Sequence, residues 1–216
     1  MLNQIAIFGA GGFGLEVAML IEQINTVQRE WELIGFFDDG ESKGKIINGY
    51  PVLGGIDELN HWQSELSMVF ALGIAHTKKS IWQKIDNRNI SHPILIHPSV
   101  IMGRKEYVTI GKGSIICAGT IITTNISIGE HVILNLSCTV GHETQIGHFS
   151  SFMPTCNISG EVTIGEATFW GTGAKVINGK RIGNHVTIGA GAVVTEDIPD
   201  NATAVGVPAR VIKKHA

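Results

Sequence analysis

The adjacent pair His142-Glu143 is the first place in this 216-residue chain where proton-transfer chemistry suggests itself. An imidazole titrates near neutral pH and can take a proton from a nucleophile. A neighbouring carboxylate can hold the ring's orientation and raise its basicity. Taken alone, the pair is equally an ordinary surface histidine beside an acid. A second group of residues points to phosphate. Gly9-Ala10-Gly11-Gly12-Phe13-Gly14 follows an apolar run, Gln4 to Phe8, and precedes a stretch of helical apolar spacing, Leu15 to Ile24. Glycines at such a turn let backbone amides approach a phosphate at a helix start. Asp38-Asp39, after a second apolar run from Leu33 to Phe37, can accept hydrogen bonds from a ribose or a base. The same turn can also be a tight connection that binds nothing. The cysteines offer little: none forms CxxC or another metal spacing. Cys138 and Cys156 read as core, and Cys117 begins a turn. His131, His148 and His185 lack the spacing of a zinc triad, so no metal is expected.

The elements that position these residues are of two kinds. From Ile110 to Val194 every sixth residue is large and apolar, through Ile116, Leu134, Phe152 and Trp170, without an insertion. Neither a helix nor a flat strand keeps that period, but a stack of short coils does. Four places after each apolar residue the side chain is usually small or β-branched, as at Ser114, Cys138, Val162 and Ala192. Glycine often follows the apolar residue, as at Gly111, Gly141 and Gly171, and is read as the turn residue. Three units of six make a coil of eighteen residues, so residues eighteen apart stack. Cys138 then lies under Cys156. Gly160 lies over His142, where its amide could steady a developing oxyanion beside a base. Lys180 departs from the pattern at a small, inward position, and is expected either to snorkel outward or to displace the turn there.

Before residue 94 the six-residue period is absent. Strands at Gln4 to Phe8, Leu33 to Phe37 and Ser67 to Leu72 alternate with helical segments at Leu15 to Ile24 and Thr77 to Ile85, which argues for a small parallel sheet. A full dinucleotide fold needs about six strands. Three or four fit here, which suits a mononucleotide or a sugar carried on one. The fold class read from the sequence is thus α/β plus β-solenoid: a Rossmann-like domain over residues 1–96, then a solenoid domain over 97–216. Charged residues make up 16% of the chain and the formal net charge is −3. No basic stripe suggests nucleic acid, and no apolar run approaches a membrane span. Met1 leads into a strand with no leader before it, so a cytoplasmic location is expected.

The order of motifs is specific: GAGGFG, Asp38-Asp39, His97-Pro98-Ser99, the hexads with His142-Glu143, then Gly206-Val207-Pro208-Ala209-Arg210. Over essentially the whole chain it resembles the NeuD/PglD-like sugar O-/N-acetyltransferases, a family of hexapeptide-repeat acyltransferases. The resemblance implies a left-handed parallel β-helix that binds acetyl-CoA, a front domain that holds a UDP-sugar, and a homotrimer with its site between subunits. It implies His142 as catalytic base, Glu143 as its partner, and Gly160, Thr172 and Ala190 along the coenzyme channel. Gly11, Gly12, Phe13, Asp38, Asp39 and Gly73 match the nucleotide-sugar pocket. Two residues depart from the family pattern. Ser151 replaces a histidine that contributes to the coenzyme site, and Phe13 replaces a frequent histidine in the first turn.

The function expected on these grounds is direct acetyl transfer from acetyl-CoA to the amino group of a UDP-linked sugar, with His142 as general base and no metal. An O-acetyltransferase acting on a sugar hydroxyl, as on a sialic acid, is the alternative. A non-catalytic β-helical scaffold is the third reading.

Overall fold

The structure, a computed structural model, describes residues 2–215. The chain opens with β1 (Asn3–Phe8), α1 (Gly12–Val27), β2 (Trp31–Phe37), β3 (Ile46–Ile47), β4 (Tyr50–Gly54), α2 (Ile56–Asn60), β5 (Leu66–Phe70), α3 (Ala75–Trp82) and β6 (Ile90–Ser91). These strands form one sheet in the order β3-β4-β2-β1-β5-β6. All neighbours are parallel except β3 and β4. Six strands therefore form where three or four were expected. The extra ones escape the apolar-run signal because β3 and β6 are two residues long and β4 contains Pro51. Strand order reverses between β1 and β5, and open parallel sheets bind ligands outside the carboxyl ends at such a point. Gly9–Gly14 and Gly73 stand there.

The solenoid begins with β7 (Leu95–Ile96), β8 (Ile101–Met102) and β9 (Val108–Ile110), a coil that starts two residues before residue 97 and ends on Ile110, where the regular hexads begin. Each coil adds one strand to each of three parallel faces. Leu95–Ile96, Ile115–Ile116, Ile133–Leu134, Ser151–Phe152, Phe169–Trp170 and Thr187–Ile188 lie on the first. The second runs from Ile101–Met102 to Val193–Val194, and the third from Val108–Ile110 to Arg181–Ile182. From Ile115 to Val194 the register between neighbouring coils is eighteen, as in Leu134↔Phe152 and Phe152↔Trp170, whereas Ile115 pairs with Leu95 and Ile121 with Ile101, twenty residues back. Every hexad apolar residue from Ile116 to Val194 is buried, and Phe152 stacks on Trp170 with centroids 5.4 Å apart. Lys180 is half-buried, whereas Thr144 and Val162 at the same coil position are fully buried. At the far end Ala202–Val205 pairs in parallel with Thr187–Ile188, and Arg210–Lys214 then runs antiparallel to it.

The repeating glycines do not serve the purpose expected of them. Left-handed backbone recurs every sixth residue from Gly113 to Gly191, but mostly at other residue types, including His131, Glu143 and Glu161 (φ 56, 58 and 60°). Gly111, Gly141 and Gly171 lie outside that region of φ. A Cβ on Gly111 would stand 2.5 Å from Glu130 N, and one on Gly141 would stand 2.6 Å from Gly160 N. These glycines let one coil sit close upon the next.

The front domain packs over the first face. Val17, Leu20 and Ile21 of α1 share a buried cluster with Leu95, Ile115, Cys117 and Ile133. Further along the seam α3 inserts Lys78, fully enclosed, whose Nζ donates to Ser151 Oγ at 2.9 Å. Burial holds this ammonium well below the usual lysine range. Next to it His131 is 1% exposed and stacks on Phe149 at 5.1 Å, edge-on to His92 at 5.0 Å. Neither of its ring nitrogens has a hydrogen-bond partner. Burial, reinforced by His92, Lys78, Lys112 and His148, pushes His131 down to about 3 from 6.5. Between those values the unfolded chain binds a proton that the folded chain refuses. The seam's contribution is therefore intact above pH 6.5 and is lost as pH falls towards 3. Thermal midpoints should drop through that window, as this group's contribution to the unfolding free energy falls by up to about 1.4 kcal/mol per pH unit. His131→Phe should flatten the profile; parallel profiles would remove His131 as the cause.

Candidate active site

His142 follows the second-face strand Thr139–Val140, at the corner leading to the third face. Its imidazole is 56% exposed, and its Nδ1 lies 3.1 Å from Glu143 Oε2. With Nδ1–H donating to that carboxylate, the Nε2 lone pair is free to accept a proton. Glu143 turns back towards the ring because it occupies the left-handed corner position. One coil on, the ring lies directly over Gly160. A Cβ added there would meet His142 Cε1 and Nε2 at 2.5 Å. Glycine at 160 is thus what lets the imidazole lie flat against the next coil. The Gly160 amide donates to no group among the described residues. At another corner the equivalent amides of Glu130 and Glu166 donate to His148 Nδ1 and Asn184 Oδ1.

Glu161 joins this corner, a residue that the sequence reading passed over. It stands eighteen residues after Glu143, and its amide donates to the His142 carbonyl at 2.7 Å. One ring nitrogen of His142 and one carboxylate oxygen each of Glu143 and Glu161 lie within 4.8 Å of one another. The coil count that located Gly160 would also have located Glu161.

Thr172 and Ala190 stack on a different corner, between the first and second faces, with the Gly191 amide donating to the Thr172 carbonyl at 2.8 Å. The whole second face separates them from His142 in one chain. Ser151 belongs to neither corner. It is fully buried in the seam beneath Lys78, so no coenzyme reaches it while the two domains stay packed. Nothing in the local sequence marks Lys78, a mid-helix lysine, as its partner.

In the front domain Gly11 and Gly12 are exposed at the start of α1, with nothing near a Cβ on either. Gly9 and Gly14 shape the turn: Gly9 has φ +108°, and a Cβ on Gly14 would collide with the Gly9 carbonyl. Phe13 is half-buried beside them. Asp38, expected to contact a nucleoside, is engaged by its own chain. Its Oδ2 accepts from the Ala10 amide and its Oδ1 from the Gly40 amide, both at 2.8 Å. Asp39 Oδ1 accepts from Ile56 N at 2.7 Å and fixes the start of α2. Both carboxylates line a cleft of about 250 Å³ with Glu41, Lys43 and Glu58. Gly73 approaches the solenoid at Met153, whose Cε would be 3.6 Å from a Cβ there.

The cysteines have no part in this site. All three are buried thiols, and Cys156 Sγ donates to the Gly171 carbonyl at 3.3 Å. Burial pushes the Cys117 thiol up to about 12. His131 lies in the seam, His148 accepts from Glu130, and His185 faces Glu166 at 3.6 Å. Glu166 also accepts from Lys79 at 2.8 Å, which holds its carboxyl below the usual range.

Comparison with known proteins bears on this geometry. Residues 4–85 match the PglD N-terminal domain family. The chain is 32% identical over 224 residues to a GDP-perosamine N-acetyltransferase of Escherichia coli O157:H7, covering 99% of this chain and 98% of that one. The acetyltransferase domain of PglB from Neisseria gonorrhoeae FA1090, in complex with acetyl coenzyme A, superposes with a TM-score of 0.87. It is 32% identical, over 98% of this chain and 100% of that one. PerB from Caulobacter crescentus, in complex with CoA and GDP-perosamine, has a TM-score of 0.84 at 28% identity, over 99% of both chains. Among the described residues no helix is long and apolar enough to cross a membrane.

Proposed function

We propose that this chain, which belongs to the NeuD/PglD-like sugar acetyltransferases, carries an acetyl group from acetyl-CoA to the amine of a nucleotide-linked amino sugar. The observation that carries the reading is the His142 corner: an exposed imidazole oriented by Glu143, lying flat on a glycine one coil away. Acetyl-CoA supplies the activated acyl group. His142 Nε2 takes a proton from the attacking amine as the C–N bond forms. The C–S bond breaks, and the proton passes from Nε2 to the departing sulfur. The Gly160 amide is the group assigned to the oxyanion. Glu143 keeps the ring in the tautomer that leaves Nε2 free, and steadies the imidazolium.

The acceptor's nucleotide belongs at the front domain's switch point, with its diphosphate on the exposed Gly11 and Gly12 amides at the start of α1. Asp38 supports that turn through Ala10. The resemblance implies uridine, whereas the relatives are named for GDP-perosamine, so guanosine is the base we favour. GDP should raise the melting temperature more than UDP; the reverse order would restore uridine.

Thr172 and Ala190 are assigned to the coenzyme, and their separation from His142 favours a site shared between copies of the chain. Ile101 and Ile121, paired neighbours on the second face, are exposed there and suit burial in a homotrimer. The test is coenzyme A release from acetyl-CoA with a panel of GDP- and UDP-linked amino sugars and their hydroxyl analogues. Turnover with an amine is expected. Turnover confined to hydroxyls would move the chain to O-acetylation, and no turnover at all would sink acetyl transfer.

A further inference from the structure

We propose that Glu161 receives the ammonium form of the acceptor, and that with Glu143 it makes the His142 corner selective for amines over hydroxyls. The inference rests on the acetyl-transfer reading and concerns the same corner. Glu143 and Glu161 occupy the same left-handed position on successive coils, so both carboxylates leave the backbone on the side where His142 lies. At this position the coil below carries Asn125 and the coil above Gly179. The carboxylates are thus confined to the two coils that frame the imidazole.

The spacing suits a protonated amine. One nitrogen of His142 and one oxygen from each glutamate lie within 4.8 Å of one another. Three acceptors placed tetrahedrally about 2.8 Å from an ammonium nitrogen stand about 4.6 Å apart, which falls inside that limit. An R–NH3⁺ group has three donors, enough for both carboxylates and for His142 Nε2, the ring nitrogen not donating to Glu143, whereas a hydroxyl has one. A hydroxyl would leave two carboxylates facing each other without a cation. The charge on this corner is also uncompensated by the chain. Among the described residues neither Glu143 nor Glu161 is ion-paired to a lysine or arginine, although Glu41, Glu58, Glu130, Glu166 and Glu196 all are.

Reception precedes the chemistry and makes no covalent bond. The ammonium releases one proton to solvent. The second passes to His142 Nε2 as the nitrogen attacks, with both carboxylates still ionised beside the imidazolium.

The test uses the full-length protein with Glu161→Gln and Glu161→Asp variants, acetyl-CoA and the amino sugar that the unaltered chain acetylates. Glu161→Gln should raise the acceptor KM about tenfold or more, the loss expected for one charge-assisted hydrogen bond. The KM for acetyl-CoA should stay within about twofold on the same grounds. Added salt should lower kcat/KM of the unaltered protein more steeply than that of Glu161→Gln, because screening weakens ion attraction. Glu161→Asp should recover part of the loss. An unchanged acceptor KM and salt slope in Glu161→Gln would overturn the proposal while leaving acetyl transfer in place. Activity lost to a chelator and restored by a divalent cation would overturn it too, giving the corner to a metal. An unaltered chain that acetylates no amine would overturn both this inference and the reading beneath it.

Discussion

His142→Ala should lower kcat by roughly 10²–10⁴-fold, the range of a positioned general base, and leave acetyl-CoA binding nearly unchanged. The expectation follows from what the side chain touches. His142 is exposed, and its one side-chain hydrogen bond, at 3.1 Å, is to Glu143, so the fold loses little when the ring is removed. Thr172 and Ala190, assigned to the coenzyme, stand on another corner of the chain and should be undisturbed. Coenzyme A release measures the chemistry, and calorimetric titration with acetyl-CoA measures binding. A variant that keeps turnover within tenfold of the unaltered protein would end the general-base assignment. A variant that loses binding in proportion would reassign His142 to holding the coenzyme.

Gly160→Ala should be nearly as damaging to activity and almost silent in stability. The new Cβ would stand 2.5 Å from His142 Cε1 and Nε2 and 2.9 Å from Cδ2, so the ring must move. It can swing into solvent, because no other group encloses it. Gly160 itself is not in the left-handed region, so alanine adds no backbone strain. The melting temperature should fall by less than about 4 °C, equivalent to about 1 kcal/mol in a chain this size. A base displaced by about an ångström costs about 10²-fold or more in kcat/KM. Retained activity with an unchanged melting temperature would mean that the flat placement of the imidazole is not needed. A collapse in melting temperature would point to an unforeseen clash within the coil.

The two halves of the chain were legible to different degrees. The solenoid could be read closely because its register is a count: eighteen residues separate stacked neighbours, as for Phe152 under Trp170 and His142 under Gly160. The reason for its glycines was misread, because contact between coils leaves no trace in local turn chemistry. In the front domain the longer strands and α1 were visible as apolar runs. The pairs Ile46–Ile47 and Ile90–Ser91 were not, since two residues carry no periodicity. Asp38 was recognised as important, but its partner Ala10 is 28 residues away. The seam was the least legible part. Lys78 and Ser151 are 73 residues apart and meet only because a helix of one domain lies on a face of the other. His131 looked like any other corner histidine of the repeat.

The reversed strand Arg210–Lys214 bears on how long such a molecule can be. A stack of parallel coils has no intrinsic length, since each coil offers the next an identical row of amides and carbonyls. The last coil of one molecule could in principle accept the first coil of another and seed a fibre. On the first face that row is covered by Arg210–Lys214, a strand of opposite direction, so the parallel ladder does not continue there. Lys213 and Lys214 along that strand add charge that repels another copy of itself. The hairpin thus works against end-to-end stacking of parallel coils on that face.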